Sequence, residues 1–152
     1  MRTFSTFEEL DEAVGEELGV GDWLEIEQDR VNTFADATGD HQWIHVDVER
    51  ANEGPFGGPI AHGYLTLSLI PYLGTSVFTL DTPGAKLNYG LNKVRFPNPV
   101  KVGQRIRDRV TLAAVDDLPM GKQVTMRHVV EIDGVDKPAC VAEMVVVLLN
   151  DE

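Results

Sequence analysis

Asp40 follows a helix-stopping glycine, Gly39, and His45 comes five residues later with apolar Trp43 and Ile44 between them. In a loop these two side chains can converge on one point, where apolar neighbours would exclude bulk water and shift both pKa values. A neutral imidazole beside a carboxylate can take a proton from water, which is general-base chemistry. On spacing alone the pair decides nothing. An Asp and a His in a loop are more often an exposed couple or a turn cap.

The other polar candidates have plainer readings. His41 adjoins Asp40 and is expected to be exposed. His62 opens an apolar segment and is expected to support a helix start. His128 falls on the apolar side of a strand pattern, where a hydrogen-bonded core histidine is the expectation. Four scattered histidines give no metal-ligand spacing, so no metal is expected. Cys140, the only cysteine, lies in the apolar run from Ala139 to Leu149 and reads as a small buried hydrophobe, with no partner for a disulfide.

Two kinds of element must position these residues. In the first half, Ser5-Thr6-Phe7-Glu8 matches a capping box, and Phe7, Leu10, Val14 and Leu18 continue at helical spacing towards Gly19. Trp23 to Glu27 reads as a short strand, and Gln28 to Thr38 as a helix ended by Gly39. Asp47 can cap a turn through Asn52, and Glu53 to Pro59 is a glycine- and proline-rich loop. His62 to Phe78 is a helix apolar nearly all round, hence wrapped by protein, with Pro71 inside it. From Ala85 the period becomes two. Val124, Met126, His128, Val130 and Ile132 share one face, and Arg105, Arg107 and Arg109 alternate with Ile106, Asp108 and Val110. Long antiparallel strands after one buried helix predict an α+β fold, its sheet curled around a long central helix.

Composition narrows the setting. The chain of 152 residues suits one domain, residues 1–152. A net charge of −12 repels nucleic acid and anionic membrane, and no stretch is apolar enough to span a bilayer. The polar, acidic N-terminal residues do not suit a signal peptide, so a cytoplasmic protein is expected.

Gly39-Asp40-x-x-x-Ile44-His45, with Ala51 six residues on, resembles the hydratase-2 motif of the MaoC-like dehydratases, which include the R-specific enoyl-CoA hydratases. Pro59-Ile60-Ala61-His62-Gly63-Tyr64-Leu65 is similar to that family's central-helix entry. Asn92 to Gly103, through Arg95-Phe96-Pro97-x-Pro99-Val100, is similar to its strand and following turn. Gln42-Trp43 replaces the usual Asn-Pro, a wording that resembles the NodN-like branch. Pro71 stands where some hydratases place a serine.

The resemblance implies a hot-dog fold and a hydro-lyase that adds water to trans-2-enoyl thioesters, giving (R)-3-hydroxyacyl products, or runs the reverse dehydration. It implies that Asp40 and His45 share one water, with His45 chiefly the base. The backbone amide of Gly63 would stabilise the thioester oxygen. Gln42, Trp43, His62 and Asn88 are candidate substrate contacts. Lys93 and Arg95 could neutralise phosphates of coenzyme A, or simply occupy a solvated strand face. No cofactor is expected apart from coenzyme A carried as part of the substrate, which could equally ride on acyl carrier protein. A homodimer is expected. The competing readings are a hot-dog acyl-CoA thioesterase and a non-catalytic acyl-binding subunit. Thioesterase branches place their carboxylate on the central helix, yet Gly63 through Phe78 contains no Asp or Glu.

Overall fold

The change of period near Ala85 is the start of the main sheet. In the computed structural model, which describes residues 1–151, four long strands follow one another: β5 (Lys86–Arg95), β6 (Arg105–Leu118), β7 (Gly121–Ile132) and β8 (Val135–Leu149). Ahead of them come β1 (Arg2–Phe4), α1 (Phe7–Ala13), β2 (Glu17–Val20), β3 (Leu24–Glu25), α2 (Gln28–Thr38), α3 (Trp43–Val46), α4 (Val48–Asn52), α5 (Gly63–Leu73) and β4 (Phe78–Leu80). The sheet runs β2-β6-β7-β8-β5, all antiparallel, with β3 also on β6; β1 and β4 form a separate parallel pair.

Alternation decides the sheet's inner face. Ile106, Asp108, Val110 and Leu112 of β6 are buried, as are Val124, Met126, His128, Val130 and Ile132 of β7. Against that face packs α5, through Leu65, Leu69, Ile70 and Leu73, in one cluster with Ile106, Val130, Cys140 and Ala142. A fully buried side chain of this kind contributes about 2 kcal/mol. The helix is therefore held by its packed face, because Gly63 and Pro71 both lower its intrinsic propensity. This is the hot-dog arrangement, a central helix inside a curled sheet.

Three expectations need correction. The capping box is one residue later than predicted: Thr6 accepts from the Glu9 amide at 3.2 Å, and its hydroxyl reaches the Glu9 carboxylate. α1 ends at Ala13, and Glu17–Val20 is a strand, because pairing with β6 outweighs the helical spacing of Leu18. The central helix stops at Leu73, continues as a tight turn over Gly74–Ser76, and is not wrapped on every side by its own chain. Tyr64, Ser68, Pro71 and Tyr72 form an exposed stripe along it.

Candidate active site

Gly39 adopts a left-handed conformation (φ 84°) at the end of α2, its amide bonded to Ala35 O at 2.8 Å, and this turns the chain out of the helix at Asp40. Asp40 Oδ1 then accepts from the Gln42 amide at 3.3 Å, a local turn that leads into α3. His45 lies on that short helix and is buried. Its backbone carbonyl accepts from Gln28 Nε2 at 2.8 Å, and its ring Nδ1 donates to Ile60 O at 2.7 Å. Ile60 is itself anchored, its amide bonded to Ile44 O and its neighbour Ala61 to Val100 O. With Nδ1 committed as donor to a carbonyl, the neutral ring keeps a lone pair on Nε2.

Burial pushes the His45 pKa below the ordinary 6.5, with the nearby His62 adding to it, while the Ile60 carbonyl and the Asp40 carboxylate push the other way. The ring is thus kept in its basic, uncharged form. Asp40 is different. It is exposed in the single chain, so the apolar shielding expected for both residues applies to His45 alone.

An Asp40 carboxylate oxygen and one ring nitrogen each from His45 and His62 lie within 4.8 Å of one another, a spacing that suits one small species held between them. His62 is built into this group more firmly than a helix start requires. Its ring stacks on His45 with centroids 3.9 Å apart, Phe34 packs tilted against it at 4.9 Å, and Nε2 donates to Asp40 O at 2.9 Å. Its Nδ1 is enclosed and has no partner among the described residues.

Gly63 opens α5 directly after His62. No acceptor for its amide occurs among the described residues, as expected for the first turn of a helix. His45 and Gly63 line one cavity of about 310 Å³, together with Thr66, Phe96 and Asn98. Space at Gly63 is tight. A Cβ there would meet the Phe96 ring at 3.2 Å.

The remaining candidates lie elsewhere. Gln42 is exposed and contributes only its backbone, the amide to Asp40 Oδ1 and the carbonyl to the His45 amide at 3.0 Å. Trp43 packs under the Arg50 guanidinium at 4.2 Å and against Gly54, away from the His45 cavity. Lys93 and Arg95 are exposed on β5, and Asn88 lines a different cavity. His41 is exposed, as expected, and is paired with Asp36 at 2.9 Å. Cys140 is buried and its thiol is pushed up to about 11 by burial, with the Asp108 charge second, which makes it inert.

The sequence reading did not find Gln28, Thr66 or Asn98. It placed Asp108 and His128 on strands without pairing them, although His128 Nδ1 lies 2.7 Å from Asp108 Oδ2. A signal for the pair was present: Asp108 occupies a core position in an otherwise apolar alternation.

Comparison with known proteins gives the family and agrees with the fold. Residues 9–133 match the family model described as MaoC like domain. The 3-hydroxyacyl-thioester dehydratase Z of Mycobacterium tuberculosis is 54% identical over 147 residues, covering 96% of this chain and 97% of that protein. Nodulation protein N of Rhizobium leguminosarum bv. viciae is 44% identical over 143 residues, covering 91% of this chain and 88% of that one. Among solved structures, the (R)-hydratase from A. caviae involved in PHA biosynthesis has a TM-score of 0.72 at 26% identity, covering 89% of this chain and 96% of that chain.

Proposed function

The chain belongs to the MaoC-like domain family, and from that premise we propose that it is a hydro-lyase interconverting trans-2-enoyl and (R)-3-hydroxyacyl thioesters. The observation that carries the proposal is the meeting of the Asp40 carboxylate with a buried, neutral His45, whose cavity is also lined by Gly63, the residue with the free amide at the tip of α5. His45 Nε2 takes a proton from water as its oxygen adds to C3. Asp40 orients that water and helps deliver a proton to C2. Negative charge developing on the thioester oxygen is met by the Gly63 amide and the positive end of the helix dipole. His62 positions both partners, one through its stacked ring and the other through the Asp40 carbonyl.

The coenzyme or carrier end of the substrate carries phosphate, which an acidic protein would repel without local cations. Lys93 and Arg95 fit that need. Neither pairs with an acidic side chain among the described residues, and β5 leads directly into Phe96 and Asn98 at the His45 cavity.

We further infer that residues 1–152 act as one domain and that its working form is a homodimer paired through β5. That strand is the sheet's edge and is exposed along nearly its whole length, with Leu87, Tyr89 and Leu91 open to solvent, the last two sharing a cleft with Ser68 and Pro71 of α5. A bare, apolar edge of this kind favours pairing with a second copy about a twofold axis. Sedimentation at micromolar concentration should give a dimer, and an active monomer would contradict it.

The decisive test is hydration of crotonyl-CoA, followed as loss of the enoyl thioester absorbance. Asp40→Asn and His45→Gln should each lower it by about a hundredfold or more in a protein that remains folded by circular dichroism, and no free thiol should appear with the parent enzyme. Full activity in both variants would sink the reading.

A further inference from the structure

A second cavity of about 350 Å³ lies between the C-terminal end of α5 and the inner face of the sheet. Ile70, Phe78, Leu80, Val124, Met126 and Val146 make its lining mostly apolar. Its polar lining comes from Thr75, Thr79, Lys86 and Asn88 and, on the sheet, from His128, with Asp108 bonded to the His128 ring. Asp108 is wholly buried, and its second carboxylate oxygen, Oδ1, is enclosed with no partner among the described residues.

Stability does not account for this pair. A buried aspartate and histidine commonly do no better than apolar side chains of similar volume, and an enclosed oxygen without a donor costs free energy. What Asp108 does achieve is to fix the ring. An ionised carboxylate only accepts, so Nδ1 carries a proton, and in the neutral ring that leaves the lone pair on Nε2. Among the described residues Nε2 has no hydrogen-bond partner, yet it is not one of the enclosed unpartnered atoms, so it is open to the cavity. Lys86, at the same cavity, is already committed to the carbonyls of Thr82 and Gly84.

The two cavities follow one line. Gly63 and Thr66 line the first, and Ile70 and Gly74 line the second. Those positions fall on a single stripe of the central helix and the turn that extends it. At a rise of about 1.5 Å per residue, Ile70 and Gly74 lie about 10 to 16 Å beyond Gly63. An extended chain covers that in roughly eight to thirteen bonds, at about 1.2 Å per bond.

We propose that His128, held by Asp108, recognises a hydroxyl group on the distal part of the acyl chain, so that the preferred substrates are long acyl thioesters hydroxylated far from the carbonyl. The proposal rests on the reading of the His45 site as one that acts on acyl thioesters. A hydroxyl can give its proton to the Nε2 lone pair. A keto oxygen at the same carbon cannot.

Calorimetric binding of saturated acyl-CoAs, which cannot react, tests this without relying on turnover. A series carrying the hydroxyl eight to thirteen bonds from the thioester carbon would be compared with the plain chain and with the keto analogue. At one position the hydroxyl compound should bind about tenfold tighter than the plain chain, the scale of one well-made hydrogen bond, and the keto compound should show no gain. In the double variant Asp108→Leu with His128→Phe, which strands no buried charge, the ratio should fall to one. Equal binding of plain and hydroxylated chains at every position, an equal gain for the keto compound, or a preference that survives in the double variant would each overturn the proposal. If the double variant does not fold, the comparison of hydroxyl, plain and keto chains in the parent protein still decides. Failure to hydrate both crotonyl-CoA and a trans-2-enoyl-CoA of the preferred chain length, with the hydroxyl preference intact, would instead count against the hydro-lyase reading alone.

Discussion

Asp40 and His45 lie five residues apart on a loop and a short helix, whereas Asp108 and His128 lie twenty apart on neighbouring strands. The first aspartate is exposed and the second wholly buried. The first histidine spends Nδ1 on a backbone carbonyl and has its carboxylate on the far side of a gap; the second spends Nδ1 on the carboxylate itself. The same two residue types therefore support different chemistry. A carboxylate held apart from a neutral ring leaves room for a third species between them, so the pair can handle a proton. A carboxylate bonded to the ring sets its tautomer and leaves a fixed acceptor, suited to recognition.

The contrast can be broken most severely at the first pair. His45→Gln should lower hydration of crotonyl-CoA by about 10²- to 10⁴-fold, the usual reach of general acid–base catalysis. The melting temperature should hardly move for Asp40→Asn, because that side chain is exposed. At the second pair the signs reverse. Asp108→Ala leaves a buried histidine without its partner and should cost about 3–5 kcal/mol in urea denaturation. Combining Asp108→Leu with His128→Phe should recover most of that loss, and failure to recover it would mean that the pair stabilises the core outright.

A smaller effect is expected at His62. His62→Phe keeps the stack on His45 and loses the bond to Asp40 O, so kcat should fall about tenfold, the scale of one lost hydrogen bond, with KM little changed. A mainly structural His62 would show as a fall in melting temperature with kcat intact. Smallest is a movement of the pH profile. The active form of His45 is the unprotonated one, and its pKa is held below 6.5. Activity should therefore persist as pH falls through 6.5, with the acid limb below that value. Because Asp40 raises the His45 pKa, residual activity in Asp40→Asn should have its acid limb lower still. A limb above 6.5 in the parent enzyme would show that burial does not control the ring.

How much of this was legible in the residues differs between the two pairs for the same reason that their chemistry differs. Asp40 and His45 are near in sequence and sit in a motif with its own turn-forming glycine, so local order carries the signal. Asp108 and His128 are joined by strand register: Asp108 pairs with Val130 and Val110 with His128, which sets the two side chains on adjacent strands of one inner face. No local spacing encodes that register. The failures of the helix reading have a similar cause. Leu18 has the right period for a helix, but pairing of β2 with β6 claims it for the sheet.

By itself the amino-acid order determined the periods of the strands, the stop at Gly39, the cap at Asp47 and the candidate acid and base, because each depends on contacts within a few residues. Tertiary structure alone decided that His62 stacks on His45, that Ile60 orients the ring, that Asp40 stays exposed, and that a second aspartate–histidine pair faces a cavity. Those outcomes rest on which surfaces the collapsed sheet and helix bring within a few ångströms, and burial, unlike spacing, is a property of the whole chain.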